Sequence, residues 1–182
     1  MMVIDIAQHR FKPLLAETEP SWLSWLLYED PLTERLQQNV KEARVQLIHQ
    51  RWQAPDWWDT HVLQLNDDIV FHREILMCSG QEAYWYARTI IPKNTFLSDV
   101  CFFNRLQNES LSKLIFNEPK VQRIHLFHYP IDRQCIEYYW PEESLLENID
   151  LLWARMSLLM FQETYPFFLV EMLFPTLMRF SL

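Results

Sequence analysis

Three charged side chains, Arg73, Arg88 and Glu171, sit in surroundings where charge is costly. Gly80 is the chain's single glycine, and Gly80-Gln81 reads as a two-residue hairpin loop, with glycine first as a type II′ turn requires. Ser79 then pairs with Glu82, and counting back along the ladder puts Arg73 directly opposite Arg88. Both would lie on one face with Phe71, Ile75, Tyr84, Tyr86 and Ile90. Two guanidinium groups about 5 Å apart repel by roughly 3 kcal/mol at an effective dielectric of 20. Something negative belongs beside them, either a protein carboxylate or a small carboxylate ligand.

Glu171 is the only polar side chain in residues 167–174. A strand apolar on both faces should not carry an unpaired carboxylate, because desolvating the charge is expensive. Glu171 therefore pairs with an arginine or sits beside a ligand. A purely structural Arg–Glu pair satisfies the same pattern as an anion pocket.

The elements that position these residues follow from periodicity. Residues 18–29 read as a helix, with Thr18 as N-cap, Pro20 in the first turn, and Trp22, Trp25 and Leu26 on one face. Asp30-Pro31 breaks it, and Leu32 with Leu36 starts a second short helix. Alternation marks a strand over 43–47, and further strands are expected over 69–78, 83–91, 121–129, 155–161 and 167–174. Helices are expected over 102–116 and 142–153. Strands joined mainly by hairpins, with helices gathered separately, predict an α+β fold: a single domain with an antiparallel sheet and flanking helices.

The bulk properties narrow the function. The 182 residues suffice for one buried core, and the net charge of -8 gives no basis for binding nucleic acid or an anionic membrane. Any anionic ligand must meet locally placed arginines. Three widely spaced cysteines make a poor disulfide framework and fit a reducing cytoplasm. Residues 1–15 lack the apolar core of a signal peptide, and the most apolar stretch, 167–178, falls short of the roughly 18 residues a membrane helix needs.

Other residues carry less. His125 and His128 sit at an odd offset on a strand, so they point to opposite faces and make no metal site. Cys78 reads as a small strand residue, Trp57-Trp58 as core, and Glu142, Glu143, Glu147 and Asp150 as a solvated helix face.

At these same residues the chain resembles the chorismate pyruvate-lyase family. The matching stretches run in order: Trp22 through Asp30 with Leu32-Thr33, Arg73 through Cys78, Ala87 through Pro92, Arg155 with Ser157, and Pro166 through Pro175. The resemblance implies an antiparallel sheet with flanking helices around a small internal ligand pocket. It implies that Arg73 grips the ring carboxylate of chorismate and that Glu171 meets the 4-hydroxyl end. It also implies that Leu32 and Leu111 contact the ligand, Leu111 through its backbone, and that Arg88 is a second arginine near the site. Leu32 stands where the family has methionine, Ala87 stands where it has glycine, and the segment between Phe116 and Trp153 is longer than is usual.

The implied activity is conversion of chorismate to 4-hydroxybenzoate and pyruvate, feeding ubiquinone synthesis, by a cytoplasmic monomer without metal or organic cofactor. In that scheme Arg73, Arg88 and Glu171 are the catalytic residues, with Arg88 stabilising the departing enolpyruvate. The rival from another class is a non-catalytic effector-binding domain of the same fold that holds a small carboxylate. The chain's lack of a basic DNA-binding segment argues against an intact regulator.

Overall fold

The computed structural model describes residues 20–116 and 118–180. Six long strands form one antiparallel sheet in the order β1-β2-β3-β6-β5-β4. They are β1 (Arg44–Gln53), β2 (Val70–Ser79), β3 (Glu82–Pro92), β4 (Val121–Asp132), β5 (Leu151–Phe161) and β6 (Tyr165–Leu173). The helices are α1 (Pro20–Leu26), α2 (Leu32–Asn39), α3 (Trp57–His61), α4 (Lys93–Ser98), α5 (Val100–Asn104) and α6 (Leu111–Phe116). None is long and apolar enough to cross a membrane. Thr18 and residues 1–15 lie outside the described residues.

The sheet is covered on both faces, and this explains the sequence of its central strands. Strands β3, β5 and β6 are buried along nearly their whole length, so they lack the clean alternation of a half-exposed sheet. On one face Phe71, Met77, Trp85, Leu159, Phe167 and Leu173 pack beneath α1, α2, α4, α5 and α6. On the other, Tyr86, Ile90, Met156, Phe168, Val170 and Met172 pack against Trp58, Val62 and Leu63 at α3 and against Tyr138 and Leu146.

Three of the five strand pairs, β1–β2, β2–β3 and β4–β5, carry one irregularity each. Between β2 and β3, Cys78 pairs with Ala83 but Met77 pairs with Trp85, leaving Tyr84 as an extra residue. Ile48 is the extra residue on β1 and Ile124 on β4. A bulge exchanges the two faces for every residue beyond it. The turn itself is as expected: Ser79 pairs with Glu82, and φ is positive at Gly80 but not at Gln81.

Two expected helices differ. Residues 102–116 form α5, a short 3-10 turn and α6 rather than one helix. Residues 142–153 form a single 3-10 turn (Glu143–Leu146), after which Asn148 adopts a φ of 61° and β5 begins. Leu146, Ile149, Leu152 and Trp153 mimic helical spacing, but the left-handed residue at Asn148 ends any helix there. The segment between Phe116 and Trp153 becomes long β4 plus two 3-10 turns. Those turns cover the sheet face that carries Tyr86 and Arg88.

Candidate functional site

The cavity is built on the face that α2 and α6 cover. Its floor is Ile75 and Arg73 on β2, Ala87 and Thr89 on β3, and Leu169 and Glu171 on β6. Leu32, at the start of α2, and Leu111, at the start of α6, close it from above, with Ile115 beside them. The empty space, counted out to its open mouth, is about 580 Å³. The ladder fixes the spacing of its charged ends. Arg73 pairs with Thr89, while Glu171 pairs with Ala87 one step along β3. Two strand spacings and one two-residue step separate their Cα atoms by roughly 12 Å. Ala87 lies between them, and its small side chain leaves the floor low.

Arg73 is 6% exposed. Among the described residues no carboxylate lies within ion-pair distance of it, and its buried Nε has no hydrogen-bond partner. Burial pulls its guanidinium below the usual arginine range, yet arginine stays protonated. A cation buried without a counter-charge is unfavourable, and a ligand carboxylate relieves it.

Glu171, 9% exposed, is the carboxylate at the other end. It stands directly across from Arg155 in the β5–β6 ladder, with Arg155 Nε 2.9 Å from Glu171 Oε2. The contact is a close ion pair and is not aligned as a hydrogen bond. Arg155 Nη1 donates to the carbonyl oxygens of Trp25, at 3.0 Å, and Tyr28, at 2.8 Å. Trp25 O belongs to the last turn of α1, where carbonyls lack helical partners, and Tyr28 O to the turn that follows it. One guanidinium therefore ties Glu171 to the helix pair above the cavity. Arg35, stacked over Trp25 and Tyr28, binds that pair together.

Arg88 is elsewhere. The extra residue at Tyr84 turns it to the opposite face, where it pairs across the ladder with Glu74 rather than Arg73. Its Nη2 lies 2.9 Å from Glu74 Oε1 and its Nη1 2.9 Å from Asp56 Oδ2, while its guanidinium stacks 3.8 Å above the Trp140 ring. Tyr86 and Ile90 go with it. The Arg73–Arg88 repulsion expected from an unbroken hairpin therefore never arises, and Arg88 does not line the cavity. The same network continues through a fully buried pair, His72 Nε2 and Asp59 Oδ2, 2.8 Å apart.

Two cavity arginines had no role in the sequence reading. One is Arg155, noted there only for its resemblance. The other is Arg123 on β4, half-buried and lining the same cavity. The Ile124 bulge puts Arg123 on the cavity face together with His128, which pairs with Arg155. Burial and the nearby Arg155 charge both lower the Arg123 guanidinium and the His128 imidazole from their ordinary values.

The remaining residues have ordinary surroundings. His125 and His128 pair with Leu158 and Arg155 and so face opposite ways. Cys78 is buried and points its thiol at Arg44 O and Gln46 Oε1. Trp58 is core and donates to Glu137 Oε1, whereas Trp57 is half-exposed and stacks on His61. The acidic run at 142–150 is exposed but lies on a turn rather than a helix face. Among the described residues no three His, Cys, Asp or Glu side chains gather as a metal site.

Comparison with known proteins adds what geometry cannot. The sequence profile of the family described as Chorismate lyase matches residues 13–180. This chain belongs to the chorismate lyase family. One relative, named probable chorismate pyruvate-lyase, from Pseudoalteromonas atlantica, is 27% identical over 164 residues, covering 84% of this chain and 78% of its own. Another, named chorismate pyruvate-lyase, from an Enterobacter species, is 27% identical over 115 residues, covering 63% and 70%. Among solved structures, a transcriptional regulator of the GntR family from Bacillus cereus is similar, with a TM-score of 0.55. It is 14% identical and covers 74% of this chain and 93% of its own. PhnF from Mycobacterium smegmatis has a TM-score of 0.54 at 14% identity, covering 82% and 66%. At that identity the likeness is one of fold alone.

Proposed function

We infer that this protein removes pyruvate from chorismate to leave 4-hydroxybenzoate. The observation that carries the reading is Arg73, a buried arginine with no carboxylate partner among the described residues, at one end of an apolar cavity whose other end is the Arg155–Glu171 pair. A para-substituted aromatic acid has the same pattern, an anion at one end and a hydrogen-bonding hydroxyl at the other. Family membership supplies the substrate class.

Arg73 grips the ring carboxylate through charge-assisted hydrogen bonds, each contributing roughly 1.5–3 kcal/mol. Glu171 accepts from the 4-hydroxyl and orients C4. Leu32 and Ile115 pack on the ring, and Leu111 meets the ligand through its backbone. The reaction is an elimination. C4 loses its proton, the C3–oxygen bond breaks with its electron pair leaving on enolpyruvate, and the ring becomes aromatic. The enolpyruvate carbon then takes a proton to give pyruvate. Aromatisation supplies the driving force, so the residues need only position the substrate, hold charge and exclude water. Glu171, paired with Arg155, assists the departing C4 proton. The same reading has the enzyme supply 4-hydroxybenzoate for ubiquinone from the cytoplasm as a monomer. Its three cysteines, all free, suit a reducing compartment.

A second reading, a small-carboxylate sensor without turnover, draws on the regulator fold. Incubating the purified protein with chorismate separates the two. Equimolar pyruvate and 4-hydroxybenzoate, abolished by Arg73→Ala, support the lyase. Binding without product supports the sensor, and neither binding nor turnover rejects both.

A further inference from the structure

Chorismate carries two carboxylates and 4-hydroxybenzoate only one, so a cavity selective for the substrate needs a second cationic contact. Arg73 serves the ring carboxylate. Arg155 is committed, its Nε to Glu171 and its Nη1 to Trp25 O and Tyr28 O. Arg88 lies on the other side of the sheet. That leaves Arg123. Its Nη1 donates to Glu29 O at 2.7 Å, its buried Nε has no partner, and among the described residues no carboxylate lies within ion-pair distance of it.

Its position suits the missing contact. Arg123 lines this cavity and also an outer one, and the two share Asp30, Ile115 and Phe116 as their common wall. A substituent at C3, adjacent to the 4-hydroxyl held by Glu171, extends from β6 past Arg155 towards β4. We propose that Arg123 is the receptor for the enolpyruvyl carboxylate, the group that distinguishes chorismate from its product. When the C3–oxygen bond breaks, that carboxylate stays with Arg123, so the new pyruvate already stands at the wall of the outer cavity. 4-Hydroxybenzoate has nothing to offer this arginine.

This proposal rests on the lyase reading, and its test separates the two. Arg123→Gln and Arg123→Lys are compared with the parent for chorismate turnover, and for 4-hydroxybenzoate affinity by calorimetry. Arg123→Gln is expected to lose roughly ten- to hundredfold in kcat/KM for chorismate, the loss of one charge-assisted contact. Its affinity for 4-hydroxybenzoate stays within about twofold of the parent, and Arg123→Lys recovers part of the loss. Unchanged kcat/KM in Arg123→Gln overturns the proposal and leaves the lyase reading standing. Equal loss for both ligands also overturns it, since that marks Arg123 as a latch between Glu29 and the cover. A parent that binds chorismate without turning it over fails as a lyase, and the same comparison is then made on chorismate binding alone. A parent that does not bind chorismate ends both.

Discussion

Arg155 and Glu171 face each other directly across the β5–β6 ladder, 2.9 Å apart, with Arg155 also holding the end of α1. The pair couples the cavity's carboxylate to the end of α1 and the turn that leads into α2. Removing one member of a buried pair strands the other charge. Glu171→Ala is expected to cost about 3–5 kcal/mol of stability and to abolish turnover. Glu171→Gln, which keeps an acceptor, should cost less in stability and still slow the reaction strongly. Urea unfolding and single-turnover kinetics on the two variants check both expectations. Equal stability losses would mean that the charge accounts for the whole effect and the retained amide acceptor for none of it.

Arg73 should show the opposite balance. It is buried with no counter-charge among the described residues, so replacing it with an apolar side chain of similar length removes an unfavourable term. Arg73→Met is expected to leave the ligand-free protein as stable as the parent, or more stable by about 1–3 kcal/mol. The variant should no longer gain thermal stability from 4-hydroxybenzoate, whereas the parent gains about 2.7 kcal/mol at a hundred times the Kd. Thermal melts with and without ligand read both quantities. A destabilised Arg73→Met with intact ligand response would contradict the free-cation description.

Arg88 belongs to the other face, and its substitution should affect folding without touching chemistry. Arg88→Met leaves Glu74 and Asp56 without their cation and Trp140 without its stacking partner. The expected cost is about 3–5 kcal/mol, with kcat/KM per folded molecule within about twofold of the parent. The double variant Arg88→Leu with Glu74→Leu should lose less than the sum of its single variants. A kcat/KM loss in soluble, folded Arg88→Met would reinstate a direct role.

The pH dependence centres on His128. Burial, and then the Arg155 charge, lower its imidazole below the ordinary value, against a hydrogen bond that the ring donates to the Leu26 backbone, which raises it. The unfolded chain therefore takes up a proton at higher pH than the folded one does. Stability should fall as pH drops through about 6.5 and level off below the folded value. His128→Gln should flatten that slope. Denaturation midpoints between pH 5 and 8 measure it, and an unaltered slope would assign the effect to another group.

Much of this was legible in the residues, and the failures share a cause. Gly80 located the turn because glycine takes up a positive φ without steric cost. Glu171 stood out because a carboxylate in an apolar strand must have a partner. The register was misread because nothing in Ala83-Tyr84-Trp85 signals a bulge: Tyr84 is an ordinary strand residue, and its insertion depends on tertiary packing. One uncounted residue moved Arg88 to the wrong face. The Ile124 bulge hid Arg123 in the same way, since strict alternation would have grouped it with His125 rather than with His128. Bulges change which side chains share a face while leaving composition and period almost untouched.

The most direct measurement is a crystal structure of the protein with 4-hydroxybenzoate. It should show the ligand carboxylate within hydrogen-bond distance of the Arg73 guanidinium and the 4-hydroxyl donating to Glu171, above Ala87 and below Leu32 and Leu111. A ligand bound the other way round, or lodged outside this cavity with Arg73 still unpartnered, would contradict the account.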